Sequence, residues 1–164
     1  MGKGTYTYPD GSIYNGVMKK KLPNGQGTLS FTDGGKYIGE FQNGDMHGHG
    51  TVSLPNGYRY IGEWNDGKIC GHGIASYPSG NKYIGEWYNN VKHGQGIMIW
   101  SNGARYVGDF QNNLKHGRGT MIAANKTKYE GEWAEDQADG QGIMTLPDGT
   151  KKAGIWEKGK LKNL

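Results

Sequence analysis

YIGEWNDGKICGHG, running from Tyr60 to Gly73, packs a glutamate, a tryptophan, a cysteine, a histidine and four glycines into one short stretch. Those residue types could furnish a catalytic centre or a metal site, or they could belong to a structural unit. The rest of the chain decides between these readings. Tyrosines stand at 14, 37, 60, 83, 106 and 129, each 23 residues after the last, and the next step falls on Lys152 in the degenerate copy KAGIW. Counted from the tyrosine as position zero, every glycine except Gly35 falls in column 2, 7, 11, 13 or 20 of the repeat. Glycine at 31 of 164 residues would suggest disorder or a fibre if it were aperiodic. Its regular placement makes it part of a repeat architecture instead.

Within a copy the periodicity is two. Tyr60, Gly62 and Trp64 share one strand face, and Ile61 with Glu63 share the other. After a turn around Asn65-Asp66-Gly67, a second strand is expected from Gly71 to Tyr77, and Pro78-Ser79-Gly80 turns into the next copy. No segment carries a helical apolar period. Only 34% of residues are hydrophobic while 12% are aromatic, which suits a ring-faced layer better than a thick two-layer core. The expected fold is therefore all-β: an elongated, open and twisted single-layer antiparallel meander of 23-residue β-hairpin repeats, with no helix of note. It spans residues 1–164 as one domain, with a half-repeat at 2–13, full repeats starting at 14, 37, 60, 83, 106 and 129, and a closing half-repeat at 152–161. About 14 strands at ~4.8 Å would give a sheet roughly 65 Å long. Glycine between Tyr and Trp leaves bare backbone over which rings can lie, and ring pairs on adjacent strands supply packing.

YIGEWNDGKICGHG, YIGEWYNNVKHGQG, YVGDFQNNLKHGRG and YEGEWAEDQADGQG resemble MORN (membrane occupation and recognition nexus) repeats, whose signature is an aromatic-x-Gly-Glu-Trp strand followed by a His-Gly-x-Gly strand. The likeness runs from Gly2 to about Leu161. The first full copy departs most, with Val17 in place of the acid and Met18 in place of the ring, and Asn113 and Asp136 replace turn glycines. The resemblance implies a scaffold or adaptor that binds helical partner segments or self-associates, and in some members a phosphoinositide-binding surface or a regulatory module beside a lipid-kinase domain.

The chemistry-bearing residues are columnar. His47, His93 and His116 share one column, and His49 and His72 another. Neighbours in a column lie two strands apart, ~9.6 Å, too far for three rings to converge at zinc-ligand distances of about 2.0–2.1 Å. Glu40, Glu63, Glu86, Asp109 and Glu132 repeat identically, so no pair is set apart as acid and base. They are expected to balance the basic column Lys36, Arg59, Lys82, Arg105, Lys128 and Lys151. Gly94-Gln95-Gly96 lacks the helix a phosphate loop needs. No catalytic residue, metal or cofactor is expected.

Two binding surfaces remain. The ring stripe of Tyr37, Phe41, Tyr60, Trp64, Tyr83, Trp87, Tyr106, Phe110, Tyr129 and Trp133 forms an expected protein-binding groove for a helical or extended segment, with Trp100 and Tyr88 as its departures from column. The second surface is basic: Lys19, Lys20 and Lys21, the column from Lys36 through Arg59, Lys82, Arg105 and Lys128 to Lys151, and Lys152 are candidates for anionic lipid. Lysine on exposed strands also limits edge aggregation. A net charge of +4, with 15 acids among 19 bases, permits nucleic acid without indicating it. The single cysteine, Cys70, and a start MGKGTY that reads as neither signal peptide nor myristoylation site point to a cytoplasmic protein, peripheral to membranes or the cytoskeleton.

Overall fold

The computed structural model describes residues 2–162. Its strands are β1 (Gly2–Thr7), β2 (Ile13–Lys19), β3 (Leu22–Ser30), β4 (Lys36–Gln42), β5 (Asp45–Ser53), β6 (Arg59–Asn65), β7 (Lys68–Ser76), β8 (Lys82–Tyr88), β9 (Val91–Ile99), β10 (Arg105–Gln111), β11 (Leu114–Ile122), β12 (Lys128–Ala134), β13 (Gln137–Thr145), β14 (Lys151–Glu157) and β15 (Lys160–Leu161). They follow one another in chain order in an open antiparallel sheet, with no helix among the described residues. The chain forms two compact units: one runs to Pro78 and takes in Trp87–Asn90, and the other comprises Ser79–Glu86 and the chain from Val91.

Each hairpin closes through a two-residue turn with both residues at positive φ, such as Asp66 (48°) and Gly67 (76°). That is the type I′ geometry whose twist matches paired strands. The Asn65–Lys68 pair therefore closes the β6–β7 hairpin, and β7 begins at Lys68 rather than at Gly71 as the alternation suggests. Two further ladder pairs, Trp64 with Ile69 and Glu63 with Cys70, come from this early start. At the other strand end an Asx turn recurs: Asn56 Oδ1 accepts the Tyr58 N–H at 2.9 Å, and Asn102 does the same for Ala104 at 2.9 Å.

The reason for the interrupted alternation is a bulge. Gly62 pairs with Gly73, but Glu63 pairs with Cys70, so Gly71 and His72 are extra residues on β7. Gly71 takes φ +55°, and a Cβ there would collide with the Glu63 carboxylate. The Glu63 carboxylate turns onto the bulge and accepts the His72 N–H at 3.1 Å. Glu40 accepts from His49 N at 3.0 Å, Glu86 from Gln95 N at 3.0 Å and Asp109 from Arg118 N at 2.8 Å, and Glu132 takes the Gln141 N–H in the same way. The acid column thus caps backbone donors freed by the bulge. It does not serve as counter-charge to the basic column, because the acid–lysine pairs among the described residues, Lys128–Glu130 and Lys162–Glu157, use acids from outside it.

Tyrosine and the two facing glycines form the core of each copy. The Tyr60 ring lies over Gly62 and Gly73, where a Cβ on either glycine would occupy the ring's own space. Its hydroxyl donates to the Glu63 carbonyl at 3.1 Å, and Tyr106 does the same to Asp109 at 2.9 Å. Burial raises the phenol of Tyr60 and of Tyr106 well above the ordinary tyrosine value, which keeps both neutral donors.

Candidate functional site

The rings form an edge-to-face chain along one sheet face within each unit. In the first unit Tyr14 meets Phe41 at 4.6 Å, Tyr37 meets Phe41 and Trp64 at 5.2 Å, and Tyr60 meets Trp64 and Trp87 at 5.4 Å. In the second, Tyr83 and Tyr106 flank Phe110 at 5.1 Å, Trp133 lies between Tyr106 at 5.4 Å and Tyr129 at 5.1 Å, and Trp156 follows at 5.3 Å. Such T-shaped pairs add about 0.5–1.5 kcal/mol each beyond area burial. Indole N–H groups tie the stack to the backbone: Trp64 donates to the Gly50 carbonyl at 3.3 Å and Trp133 to the Gly119 carbonyl at 3.0 Å.

This places the expected groove residues plainly. Tyr37, Tyr60, Tyr83 and Tyr106 are fully buried, and Phe41, Trp64, Trp87, Phe110, Tyr129 and Trp133 keep no more than 8% exposure. The rings are the core of the layer, and the surface over them is furnished by other side chains. Trp156, which was not among the expected rings, joins the stack. Trp100 is half-buried beside it, and Tyr88 is 62% exposed.

On the ring side of each hairpin the residue nine past the tyrosine stands cross-strand from the residue four past it, which is Phe or Trp in every full copy but the first, where it is Met18. In the first unit position nine is Pro23, Met46 or Ile69, with Pro23 and Ile69 buried. In the second it is Lys92, then Lys115, then Ala138. The Lys92 ammonium lies over Tyr83 at 5.6 Å and Phe110 at 5.7 Å. The Lys115 ammonium lies over Trp133 at 4.5 Å, with Trp100 and Tyr106 at 5.9 Å. Burial lowers both lysines from their ordinary value, against the opposing pull of Asp136. Sequence reasoning missed these two residues. The signal was present as lysine in a column otherwise filled by Pro, Met, Ile and Ala.

The two-residue turns vary along the chain but not in step with the column, since Asn90 of the first unit already takes the turn position and holds Ile69 at both backbone groups. Where Asn or Asp replaces the second turn glycine it keeps positive φ, as at Asn113 (73°) and Asp136 (69°). Its side chain then accepts a backbone N–H from the preceding copy: Asn113 from Lys92 N and Asp136 from Lys115 N, both at 2.8 Å. The same two residues donate their own N–H to the carbonyls of Lys92 and Lys115. The segments that carry the two lysines are therefore held at both backbone groups.

The opposite face carries an exposed aliphatic row. It includes Ile38, Ile61 and Ile74 in the first unit, and Val107 and Ile143 in the second. Next to it lies the basic column: Lys36 and Arg59 in the first unit, and Lys82, Arg105 and Lys151 in the second, are exposed, while Lys128 is paired with Glu130 at 2.9 Å. The other expected basic residues do not join them. Lys19, Lys20 and Lys21 sit at the hairpin tip, at the opposite strand end, and Lys152 occupies the tyrosine position on the ring side. The histidines are dispersed: His47 Nδ1 is 3.7 Å from Asp66, and His49 and His72 are 3.9 and 3.8 Å from the acids of their own bulges. Among the described residues no three His, Cys, Asp or Glu side chains are grouped to hold a metal. Cys70 is half-buried, and burial raises its thiol above the ordinary value, which leaves it a poor nucleophile.

Comparison with known folds agrees with this architecture. The TCP domain of Drosophila melanogaster SAS-4 (dCPAP), solved in complex with a proline-rich motif of Ana2 (dSTIL), superposes with a TM-score of 0.54 at 13% identity, covering 94% of this chain and 84% of that one. The TCP10 domain of Danio rerio CPAP, solved with a STIL peptide, covers the same shares at 15% identity with a TM-score of 0.41. At 13% identity the likeness to the SAS-4 domain concerns the fold alone. A comparison with curated proteins finds no match. The MORN repeat family model matches residues 1–13, 14–36, 37–57, 60–82, 83–105, 106–128 and 129–151 in succession, and the chain belongs to the MORN-repeat family.

Proposed function

We propose that this protein is a non-catalytic scaffold or adaptor that binds another protein through the ring face of its second unit. The observation that carries this reading is the pair of lysines laid over the rings, Lys92 and Lys115, where the first unit has Pro23, Met46 and Ile69. An array whose only task was to fold would fill that column with apolar side chains throughout, because burying apolar surface over the rings stabilises the layer by ~25 cal/mol per Å². Lysine gives up part of that gain and presents charge over a ring surface, where the ring face holds the ammonium in place for an anionic partner. The SAS-4 TCP domain, a sheet of similar fold, is a peptide-binding domain in its own structure.

A photo-crosslinking amino acid placed at Trp100, beside Lys115, tests the proposal in lysate from the source cells. A discrete set of proteins should be captured from position 100, and none of them from a control site at Ile61 on the opposite face. Capture of the same proteins from both positions, or of none, would remove the reading.

A second reading, peripheral binding to anionic membrane, rests on the exposed basic column beside the exposed aliphatic row. Each lysine or arginine near such a surface contributes about 1 kcal/mol. Sedimentation with phosphatidylcholine vesicles, with and without 20% phosphatidylserine, separates the two: binding that needs the anionic lipid and falls in Lys82→Glu/Arg105→Glu supports this alternative.

A further inference from the structure

Building on the ring-face reading, we propose that Lys92 and Lys115 together select a partner segment bearing two carboxylate side chains spaced one repeat apart. Four observations lead there. First, the fold does not need lysine in this column, since Pro23, Met46 and Ile69 complete the same hairpins in the first unit. Second, both ammoniums lie over ring faces, at 4.5 Å for Lys115 over Trp133 and 5.6 Å for Lys92 over Tyr83. Third, neither forms an ion pair within the described residues, and the nearby Asp136 already has one carboxylate oxygen occupied by the Lys115 backbone N–H at 2.8 Å. Fourth, the backbone of both lysines is held by hydrogen bonds to Asn113 and Asp136, which fixes where the two stems start.

The physical consequence is preorganisation. An ammonium that has already lost part of its water when the chain folds loses less on meeting an anion, so more of the Coulomb attraction survives as affinity. Rings on either side exclude water from the pair and strengthen it further. The direction in which burial moves both lysines agrees with this partial desolvation.

Spacing narrows the occupant. Lys92 on β9 and Lys115 on β11 occur at the same repeat position two strands apart, about 9.6 Å. One phosphate or one carboxylate cannot bridge that interval. A polyproline-II segment crossing the strands presents side chains i and i+3 on one face and advances about 9.3 Å between them. The occupant is therefore an extended acidic peptide with Asp or Glu at i and i+3, its other side chains resting on the rings.

The test uses the full chain as bait for a displayed library of random 12-residue peptides, in parallel with Lys92→Met/Lys115→Met. The unmodified chain should enrich peptides with Asp or Glu at i and i+3 several-fold over the starting library. A synthetic peptide from that set, titrated by fluorescence anisotropy, should lose about tenfold or more in affinity for the double variant and keep most of it for Lys92→Arg/Lys115→Arg. If the unmodified chain selects peptides without acidic excess, or the selected peptide binds the Met variant equally well, the lysine assignment fails while the ring face stands as a peptide site. If the unmodified chain enriches nothing, the ring-face reading itself fails and takes this inference with it.

Discussion

The two units share one hairpin design but differ over their rings. In the first, Pro23, Met46 and Ile69 stand cross-strand from Met18, Phe41 and Trp64, and the turn that meets each of them in the next copy carries Gly44, Gly67 or Asn90. In the second, Lys92 and Lys115 take the same column, and Asn113 and Asp136 take the turn position while adding a side-chain hydrogen bond to each lysine's backbone. What is common to both units makes the fold. What differs between them is confined to a few side chains on one face, while the backbone anchoring is shared, since Asn90 holds Ile69 as Asn113 holds Lys92. Repetition thus separates framework from specialisation without any alignment of relatives.

The framework half of this comparison predicts equal damage in both units. Gly73→Ala and Gly119→Ala each drive a Cβ into the space of the Tyr60 or Tyr106 ring. Each should lower stability by on the order of 3 kcal/mol, the upper range for overpacking, read as a shift in urea midpoint. A loss in one unit and not the other would break the claim of a shared core. Next in size, Glu63→Ala and Asp109→Ala strip the bulge of its acceptor. About 1–2 kcal/mol should go in each case, the worth of a partly exposed charge-assisted hydrogen bond.

The specialised half predicts unequal effects. Burial holds Lys92 and Lys115 below the ordinary lysine value of 10.5. Between their folded values and 10.5 the unfolded chain binds more protons, so this contribution to stability rises with pH across that window as the ammonium is lost. Any stability advantage of Lys92→Met/Lys115→Met over the unmodified chain should accordingly shrink between pH 8 and pH 10.5, measured as a difference in melting temperature. Exchanging Met46 and Ile69 for alanine in the first unit should produce a deficit with no such alkaline dependence. The smallest effect belongs to the turns. Asn113→Gly removes one hydrogen bond while keeping the positive φ, for about 0.5 kcal/mol. Asn113→Ala adds left-handed strain and should cost about twice that.

Most of the fold could be read from the period of 23 and the alternation within it, because both faces of a strand are fixed by parity and a repeat multiplies the signal. The start of β7 at Lys68 was not legible, since the Gly71–His72 bulge interrupts the very alternation that marks a strand. The task of Glu63 was equally hidden: its partner is a backbone N–H that a straight strand would have used in the ladder, so composition suggested lysine and arginine as counter-charges. The rings were identified correctly as one face, but how deeply Tyr60 and Tyr106 sink over paired glycines depends on the facing strand. Lys92 and Lys115 escaped notice for a different reason. Lysine in a polar sequence reads as solvated surface, and only the cross-strand pairing of Lys115 with Phe110 reveals the rings beneath it.

The central claim is that these lysines are kept at a cost to folding because the ring face has a partner to meet. Urea denaturation at pH 7, followed by tryptophan fluorescence, measures that cost in the unmodified chain against Lys92→Met/Lys115→Met. The Met variant should have the higher midpoint, by about 1 kcal/mol, as apolar stems replace half-buried charges over the rings. A lower midpoint would mean that the cation–ring contacts are themselves structural, and the case for a binding face in the second unit would be contradicted at its base.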